Sequence, residues 1–158
     1  MGLDMFLYRT AHSDALQLVR RYNTACRTEP FAGLPSEEVV QEANRIWEAL
    51  NLEEIGYWRK ANAIHRWFVE FVQDGVDDQR LAVVSIADLR ELRMTIDKVL
   101  ADPSKAPTLV PTQDGFFFGS TDYDDDYFAD LRDTLMILDH ILTQPDADRF
   151  TYVYHAWW

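Results

Sequence analysis

Residues 57–68 concentrate side chains that can stack, donate hydrogen bonds and titrate. The segment reads Tyr-Trp-Arg-Lys-Ala-Asn-Ala-Ile-His-Arg-Trp-Phe and is predicted to be helical. A helix that only has to bury one face is usually built from Leu and Ala at such positions. The segment is therefore the first candidate for a functional site, although its composition specifies no reaction.

Three residues define this candidate site most closely. With helical spacing, Trp58, Asn62 and His65 stand at positions i, i+4 and i+7 and share one face. Asn62 and His65 are expected at the boundary between core and solvent, where an imidazole titrates near neutral pH and an amide orients a ligand. The alternative is that both side chains satisfy buried backbone groups or one another.

A pair of arginines lies on a neighbouring face of the same predicted helix. Arg59 and Arg66 are seven residues apart, and two guanidinium groups so placed can clamp a carboxylate or a phosphate. They can equally pair with acidic side chains close in sequence. Those side chains are Glu53, Glu54, Glu70 and Asp74.

The segment 115–121 places three phenylalanines between two glycines and ends in two hydroxyl side chains. It is interpreted either as an aromatic wall beside an anion-accepting helix N-terminus or as a buried aromatic plug. It lacks the lysine and the spacing of a phosphate-binding P-loop. No catalytic residue, metal ligand or cofactor is predicted anywhere in the chain. The predicted binding residues are Trp58, Arg59, Asn62, His65, Phe117, Ser120, Thr121, Tyr123 and Asp124.

The acidic segment 122–133 resembles a calcium loop in its spacing. Carboxylates stand at the first, third, fifth, ninth and twelfth positions, as in an EF-hand. However, Tyr127 replaces the glycine of the sharp turn, and Asp133 is shorter than the chelating glutamate. An apolar helical period also begins at Phe128. The cluster is therefore interpreted as a helix N-terminus, where the backbone dipole favours anions, and no calcium binding is expected.

Periodicity predicts the elements that would position these residues. Strands are predicted at 3–8, 81–84 and 150–158, where apolar residues alternate or β-forming residues cluster. A loop is predicted at 103–111. Five helices are predicted: one capped by Ser13 and Asp14 and ended by Pro30 and 33–35, one opened by Ser36, one from 57 to about 73, one with the capping box Ser85 and Asp88, and one with the capping box Thr121 and Asp124.

These elements predict an α+β fold in one domain covering residues 1–158. The helices are expected to cover one face of a small sheet formed by both chain ends and residues near 81–84. The two terminal strands are expected to pair with each other, because they would otherwise leave open edges.

Charge and composition restrict the function classes. Of the 158 residues, 27 are acidic and 15 basic, which gives a net charge of -12. This field disfavours nucleic acid and anionic membranes and favours a basic protein partner, including one that normally binds DNA. Cys26 is the only cysteine, so an intrachain disulfide is excluded. No signal peptide or long apolar run is visible, and a cytoplasmic location is expected.

Four segments together resemble a family of small uncharacterised proteins carried by bacteriophages, prophages and their hosts. They are the start Met-Gly-Leu-Asp-Met, residues 57–78, residues 115–127 and the aromatic C-terminus ending in Trp. Residues 10–54 take no visible part. The resemblance implies a small cytosolic, phage-associated protein and transfers no catalytic role. Trp157 departs from the pattern, since a small polar residue is expected before the last Trp.

Two hypotheses for the function follow. The preferred one is a phage accessory factor that binds a host protein and inhibits a defence or nucleic-acid enzyme. The alternative is a small enzyme or ligand-binding domain whose pocket combines Trp58, Asn62 and His65 with segment 115–121 and Tyr123 or Asp124. A concave site with His65 near a carboxylate favours the alternative. A flat acidic face with protruding Trp favours the accessory factor.

Overall fold

A four-stranded antiparallel sheet forms the centre of the computed structural model, which describes residues 2–27 and 36–158. In chain order the strands are β1 (Asp4–Thr10), β2 (Glu53–Arg59), β3 (Ala82–Val84) and β4 (Thr151–Trp157). They lie in the order β2-β1-β4-β3. The first and last strands pair from Asp4 opposite Trp157 to Thr10 opposite Thr151, which confirms the predicted pairing of the two ends.

Six helices accompany the sheet within the described ranges, so the α+β class is confirmed. The segment predicted as a loop at 103–111 contains a 3₁₀ turn and the shortest of these helices. No helix in the described part of the chain is long and apolar enough to cross a membrane. The helices are α1 (Ala15–Cys26), α2 (Glu37–Leu50), α3 (Asn62–Phe71), α4 (Ile86–Ala101), α5 (Ala106–Leu109) and α6 (Asp125–Leu142).

Capping side chains set three of the six described helix starts. Ser36 accepts a hydrogen bond from the backbone of Val39 at 3.4 Å. Ser85 and Asp88 form the predicted reciprocal capping box. The predicted box of Thr121 with Asp124 is wrong, because Asp124 is itself the N-cap of α6. At α1, Asp14 occupies the N-cap position without a side-chain bond. The predicted breaks at Pro30 and 33–35 lie outside the described residues.

The helix predicted to begin at Tyr57 is wrong in its first residues. Tyr57, Trp58 and Arg59 belong to β2, and Lys60, at φ 61°, turns the chain before α3 begins at Asn62. The β-forming Tyr and Trp side chains suit either element locally, and pairing with β1 decides for the strand. Gly56 lies inside β2, and the position requires glycine because a Cβ there would approach the side chain of Ile137 to 2.9 Å.

Helices cover both faces of the sheet, whereas the sequence predicted cover on one. Successive residues of a strand point to opposite faces. Met5 and Leu7 of β1 and Tyr154 of β4 enter the large core with α3, α4 and α6. Val153 enters a smaller core with α1 and α2. The second face also carries apolar side chains, so it needs helices of its own.

Candidate functional site

Asn62 attaches segment 113–120 to the start of α3. Its side chain is 4% exposed and donates from Nδ2 to the carbonyls of Phe118, at 3.1 Å, and Ser120, at 2.8 Å. Its Oδ1 accepts from the backbone of Gln113 at 3.0 Å. Both amide hydrogens are therefore used within the chain. The predicted convergence of segment 115–121 with α3 is confirmed, and Asn62 is buried rather than at the solvent boundary.

His65 is the centre of a buried hydrogen-bonded chain. Its Nδ1 lies 2.8 Å from the hydroxyl of Tyr154, and its Nε2 lies 3.0 and 3.1 Å from the two carboxylate oxygens of Asp77. Because an ionised carboxylate only accepts, Nε2 must carry the hydrogen of this bond. In the neutral imidazole, Nδ1 then accepts from Tyr154. Burial, reinforced by the charge of Asp77, raises the pKa of Tyr154 well above its usual range, so this tyrosine remains a donor.

Aromatic rings close this chain off from solvent. Phe118 meets the His65 ring edge-on with centroids 5.4 Å apart, and the Trp158 ring lies at the same distance. His65 and Tyr154 have no exposed surface. Of the three hydrogen-bonded side chains only Asp77 reaches the surface, with 24% of its side chain exposed. A carboxylate near His65, the feature that favours an enzyme or ligand-binding domain, is therefore present, but within the described residues the concave solvent-facing site that should accompany it is not. The carboxylate binds a histidine inside the core, not one at the solvent boundary as predicted.

Trp58 does not share a face with Asn62 and His65, because it lies on β2. Its ring is 4% exposed and packs against Phe68, with centroids 6.1 Å apart. Its indole Nε1 donates to the hydroxyl of Thr134 at 2.8 Å. The helical spacing that predicted a shared face does not apply across the turn at Lys60, so Trp58 is a core residue.

The shared helix face predicted for Arg59 and Arg66 is wrong for the same reason, so the basis for a clamp is lost. Arg59 ends β2, whereas Arg66 lies on α3. Arg66 donates from Nε to Glu70 at 2.8 Å and from Nη1 to the carbonyl of Thr112 at 3.0 Å. The alternative that the arginines pair with nearby acids is thus met for Arg66.

A cleft of about 310 Å³ gathers four of the predicted binding residues. It lies between the end of β2, the start of α6 and segment 119–122. Carboxylates dominate its walls, and burial together with neighbouring aspartates raises the pKa of Asp130 to about 6. No cluster of three or more metal-ligating side chains occurs in the described ranges. The predicted residues in the cleft are Arg59, Asn62, Ser120 and Asp124, joined by Lys60, Asp122, Asp126 and Asp130.

The acidic segment 122–133 forms a helix start and not a calcium loop. Asp124 accepts from the backbone of Tyr127 at 3.0 Å, and Asp125 and Asp126 occupy the first turn of α6. The hydroxyl of Tyr127 donates to the carbonyl of Val110 at 2.8 Å. The interpretation as an acidic helix N-terminus is confirmed.

The three phenylalanines of segment 115–121 are divided by a tight turn. The backbone of Phe118 donates to the carbonyl of Gly115 at 3.1 Å, and Phe117, at φ 68°, occupies a position that normally requires glycine. Phe118 is buried, whereas Phe116 and Phe117 are 81% and 45% exposed. The segment is therefore a plug at one phenylalanine and an exposed aromatic tip at the other two. We call Phe116 and Phe117 the aromatic tip.

Thr121 and Tyr123 lie beside the cleft, and both form hydrogen bonds with Thr112, which lines it. The carbonyl of Thr121 accepts from the hydroxyl of Thr112 at 3.0 Å, and the Tyr123 hydroxyl lies 3.4 Å from the Thr112 backbone nitrogen. Ser120 accepts from the backbone of Asp122 through its hydroxyl at 3.0 Å. Neither hydroxyl side chain of 120–121 caps a helix, contrary to the prediction.

Sequence reasoning missed three contributors to the site. Asp77 and Gln113 are not among the predicted binding residues, and Tyr154 is predicted only as part of the terminal strand. Asp77 accepts from the side chain of Gln113 at 3.1 Å in addition to binding His65. These residues meet only in the folded chain, so no local spacing signals their contact.

Comparison with known proteins adds no relative. No protein-family model, no curated protein and no solved structure matches the chain.

Proposed function

We propose that this protein is an acidic binding factor that attaches to a basic partner protein through its aromatic tip. If the chain is phage-encoded, as its resemblance implies, the partner is a host protein in the cytoplasm, such as a defence or nucleic-acid enzyme that the binding inhibits. The single observation that carries the proposal is the exposure of Phe116 and Phe117 on a strained turn that is flanked in sequence by aspartates.

The local energetics of the turn support a binding role. A left-handed backbone costs a residue with a Cβ about 1–2 kcal/mol, and a bulky phenylalanine meets this cost at position 117. The two phenylalanines also remain 81% and 45% exposed, so each forgoes part of the benefit of burial. Folding alone would be served better by glycine at 117 and a polar residue at 116. Strained positions with exposed aromatic side chains are typical of binding sites.

The acidic residues that flank the tip in sequence indicate the kind of partner. Asp114 precedes the turn, and four aspartates follow it between 122 and 126. With a net charge of -12, the protein attracts basic surfaces and repels acidic ones. Buried aromatic anchors surrounded by a charged rim are the usual arrangement of a protein interface.

Affinity capture with a matched pair of variants tests the proposal. The bait is the purified protein, the test variant combines Phe116→Ser with Phe117→Gly, and the control is Met136→Ser, which alters a 66% exposed side chain on α6. We expect wild type and control to retain one basic partner in stoichiometric amount. With that partner purified, the test variant should bind about 100-fold more weakly, the loss of two aromatic anchors.

Two further measurements separate binding from folding. The test variant should melt at the same or a higher temperature than the wild type, because glycine relieves the strain at 117. The bound partner should dissociate as salt rises. Equal capture by wild type and test variant, or a partner without basic character, would contradict the proposal.

The alternative, a small enzyme or ligand-binding domain, has less support. Trp58 and His65 are buried in the core, and both amide hydrogens of Asn62 are bonded within the chain. Only the acid-lined cleft remains of the predicted pocket.

A further inference from the structure

The strand β2 forms an edge of the sheet whose outer backbone groups are open. The backbone of Lys60 donates to the carbonyl of Leu3 at 2.7 Å, and Trp58 lies opposite Met5. Because hydrogen-bonded pairs alternate along antiparallel strands, the backbone groups of Tyr57 and Arg59 point away from β1. Within the described ranges, no backbone group of a turn or loop forms a hydrogen bond with the backbone of Tyr57 or Arg59.

The opposite edge of the sheet is protected by contrast. The strand β3 has only three residues. Immediately before it, the side chain of Asn23 donates to the carbonyl of Leu81 at 2.8 Å and accepts from its backbone nitrogen at 3.0 Å. This amide satisfies Leu81 as a neighbouring strand would. Short, covered edges are how proteins prevent unwanted strand pairing, and β2 lacks such cover at Tyr57.

Two clefts lie beside β2, one at each end of its contact with α6, and between them Trp58 of β2 bonds to Thr134 of α6. A cleft of about 430 Å³ lies where the first half of β2 meets the last turns of α6, with Ile55, Ile137 and Ile141 in its wall. The acid-lined cleft of about 310 Å³ lies where β2 ends and α6 begins. The strand and the helix therefore run in opposite directions, and the two clefts lie at opposite ends of the same strand–helix pair. We call the two clefts together the β2–α6 groove.

The charge of the β2–α6 groove specifies the character of a ligand. Six carboxylates line its two clefts against three cations. One of those cations, Arg9, is bound to one of those carboxylates, Glu53, at 2.7 and 3.0 Å, which leaves five carboxylates against two cations. The groove therefore favours lysine and arginine side chains, with an apolar contact available at the isoleucines. The six carboxylates belong to Glu53, Glu54, Asp122, Asp124, Asp126 and Asp130.

We propose that the open edge of β2 binds an extended basic segment of another protein, which adds to the sheet as a fifth strand. Backbone bonds to Tyr57 and Arg59 hold the segment, and every second side chain enters the β2–α6 groove. This mode of recognition takes affinity from the backbone ladder and specificity from alternate side chains. The bulge between Leu7 and Tyr8 limits the regular edge to 56–59, so a short segment suffices. The site is separate from the aromatic tip and does not depend on it.

Amide hydrogen exchange with a defined peptide tests the site on the whole protein. The probe is a seven-residue peptide of alternating lysine and valine, blocked at both ends. On binding, we expect exchange at Tyr57 and Arg59 to slow by about tenfold or more, since their amides become hydrogen-bonded. Two matched peptides carry N-methyl groups on the lysines or on the valines. Only alternate amides of an added strand face β2. The peptide that is methylated at those amides should therefore bind about tenfold more weakly than the probe, and the other should bind like the probe.

A pair of substitutions at one position gives a second, independent test. Tyr57→Pro removes the outward amide, and edge strands tolerate proline where that amide faces solvent. Tyr57→Val retains the amide, and both variants lose the phenol bond to Asp4. We expect Tyr57→Pro to weaken probe binding about tenfold and Tyr57→Val to leave it nearly unchanged. If Tyr57→Pro does not fold, the exchange data on the wild type decide alone.

Three outcomes would overturn the site. Equal binding of the probe and both methylated peptides would mean attraction by charge alone. Unchanged exchange at Tyr57 with peptide bound would place the peptide elsewhere. Protection of Tyr57 that rises with protein concentration and without peptide would assign the edge to a second copy of this chain. The Phe116→Ser, Phe117→Gly variant should bind the probe like the wild type, so a failure here is distinct from a failure at the aromatic tip.

Discussion

The two faces of the sheet each bury one histidine, and the two histidines are treated differently. On the first face, His65 bonds through both ring nitrogens to Tyr154 and Asp77. On the second face, His155 is 4% exposed, and its Nδ1 has no partner within the described residues. Burial lowers the pKa of His155 to about 4. The two histidines are therefore equally buried but differ in their hydrogen bonding.

The difference follows from what covers each face. The first face carries α3, α4 and α6, and the segment between α3 and α4 brings Asp77 to His65, while β4 of the sheet supplies Tyr154. The second face carries α1 and α2, and His155 meets mainly aromatic rings there, those of Trp47 and Trp157. Beside it lies a cleft of about 340 Å³ lined also by Tyr22 and Cys26. We expect the stability of the protein to fall when the polar bonds of His65 on the first face are lost, and to change little when the polar group of His155 on the second face is removed.

The largest expected effect is that of His65→Ala. The change leaves a void and strands the Asp77 carboxylate and the buried Tyr154 hydroxyl, which together should cost about 4 kcal/mol of unfolding free energy. Urea unfolding of the variant measures this loss. A loss near 1 kcal/mol together with abolished partner binding would instead make His65 a functional residue and contradict its structural role.

The second prediction concerns the acid sensitivity that His155 introduces. Its pKa is about 4 in the folded chain against an ordinary 6.5, so the unfolded chain takes up a proton first as the pH falls. The contribution of neutral His155 is present above pH 6.5 and is lost as the pH falls towards 4, by about 3 kcal/mol at most.

His155→Phe tests this in a side chain of similar shape. The variant should be at least as stable as the wild type at pH 7, since no unpartnered nitrogen remains, and its stability should fall less between pH 6.5 and 4. Denaturant unfolding at several pH values compares the two proteins. An identical pH profile would show that His155 is not the group responsible.

The third prediction concerns Asp130 on the first face, where the sign is opposite. Its folded pKa of about 6 lies above the ordinary 3.8, so the protonated form is favoured in the folded chain. Its contribution is fully present below pH 3.8 and is lost as the pH rises through 6. Asp130→Asn should therefore stabilise the protein at pH 7 by about 1 kcal/mol and have little effect at pH 4. Asp133→Asn on the same helix is the control and should give a smaller gain.

The smallest expected effects compare one helix cap from each face. Ser85 shares a reciprocal capping box with Asp88 under the first face, at 3.0 and 2.9 Å, whereas Ser36 of the second face makes a single bond at 3.4 Å. We expect Ser85→Ala to cost about 1 kcal/mol and Ser36→Ala about 0.5 kcal/mol. Thermal unfolding of both variants measures the difference, and the reverse order would count against the contrast between the faces.

Much of the fold is predictable from local signals. The serine caps at 36 and 85, the acidic start of α6 and the two terminal strands as elements all follow from side chains adjacent in sequence or from alternation within one strand. These features depend on backbone geometry over a few residues, so the amino-acid order determines them before any tertiary contact forms.

Only the tertiary structure determines which residues of the candidate site lie together and which of them are buried. Residues 57–59 suit a helix or a strand, and only pairing with β1 makes them β2. His65 is 12 residues from Asp77 and 89 from Tyr154, so its partners appear only when α3 packs on the sheet. Phe116, Phe117 and Phe118 are identical in type, and a backbone turn alone separates the exposed tip from the buried plug. Periodicity records which face a residue occupies, whereas pairing, burial and polar partners depend on contacts between distant segments.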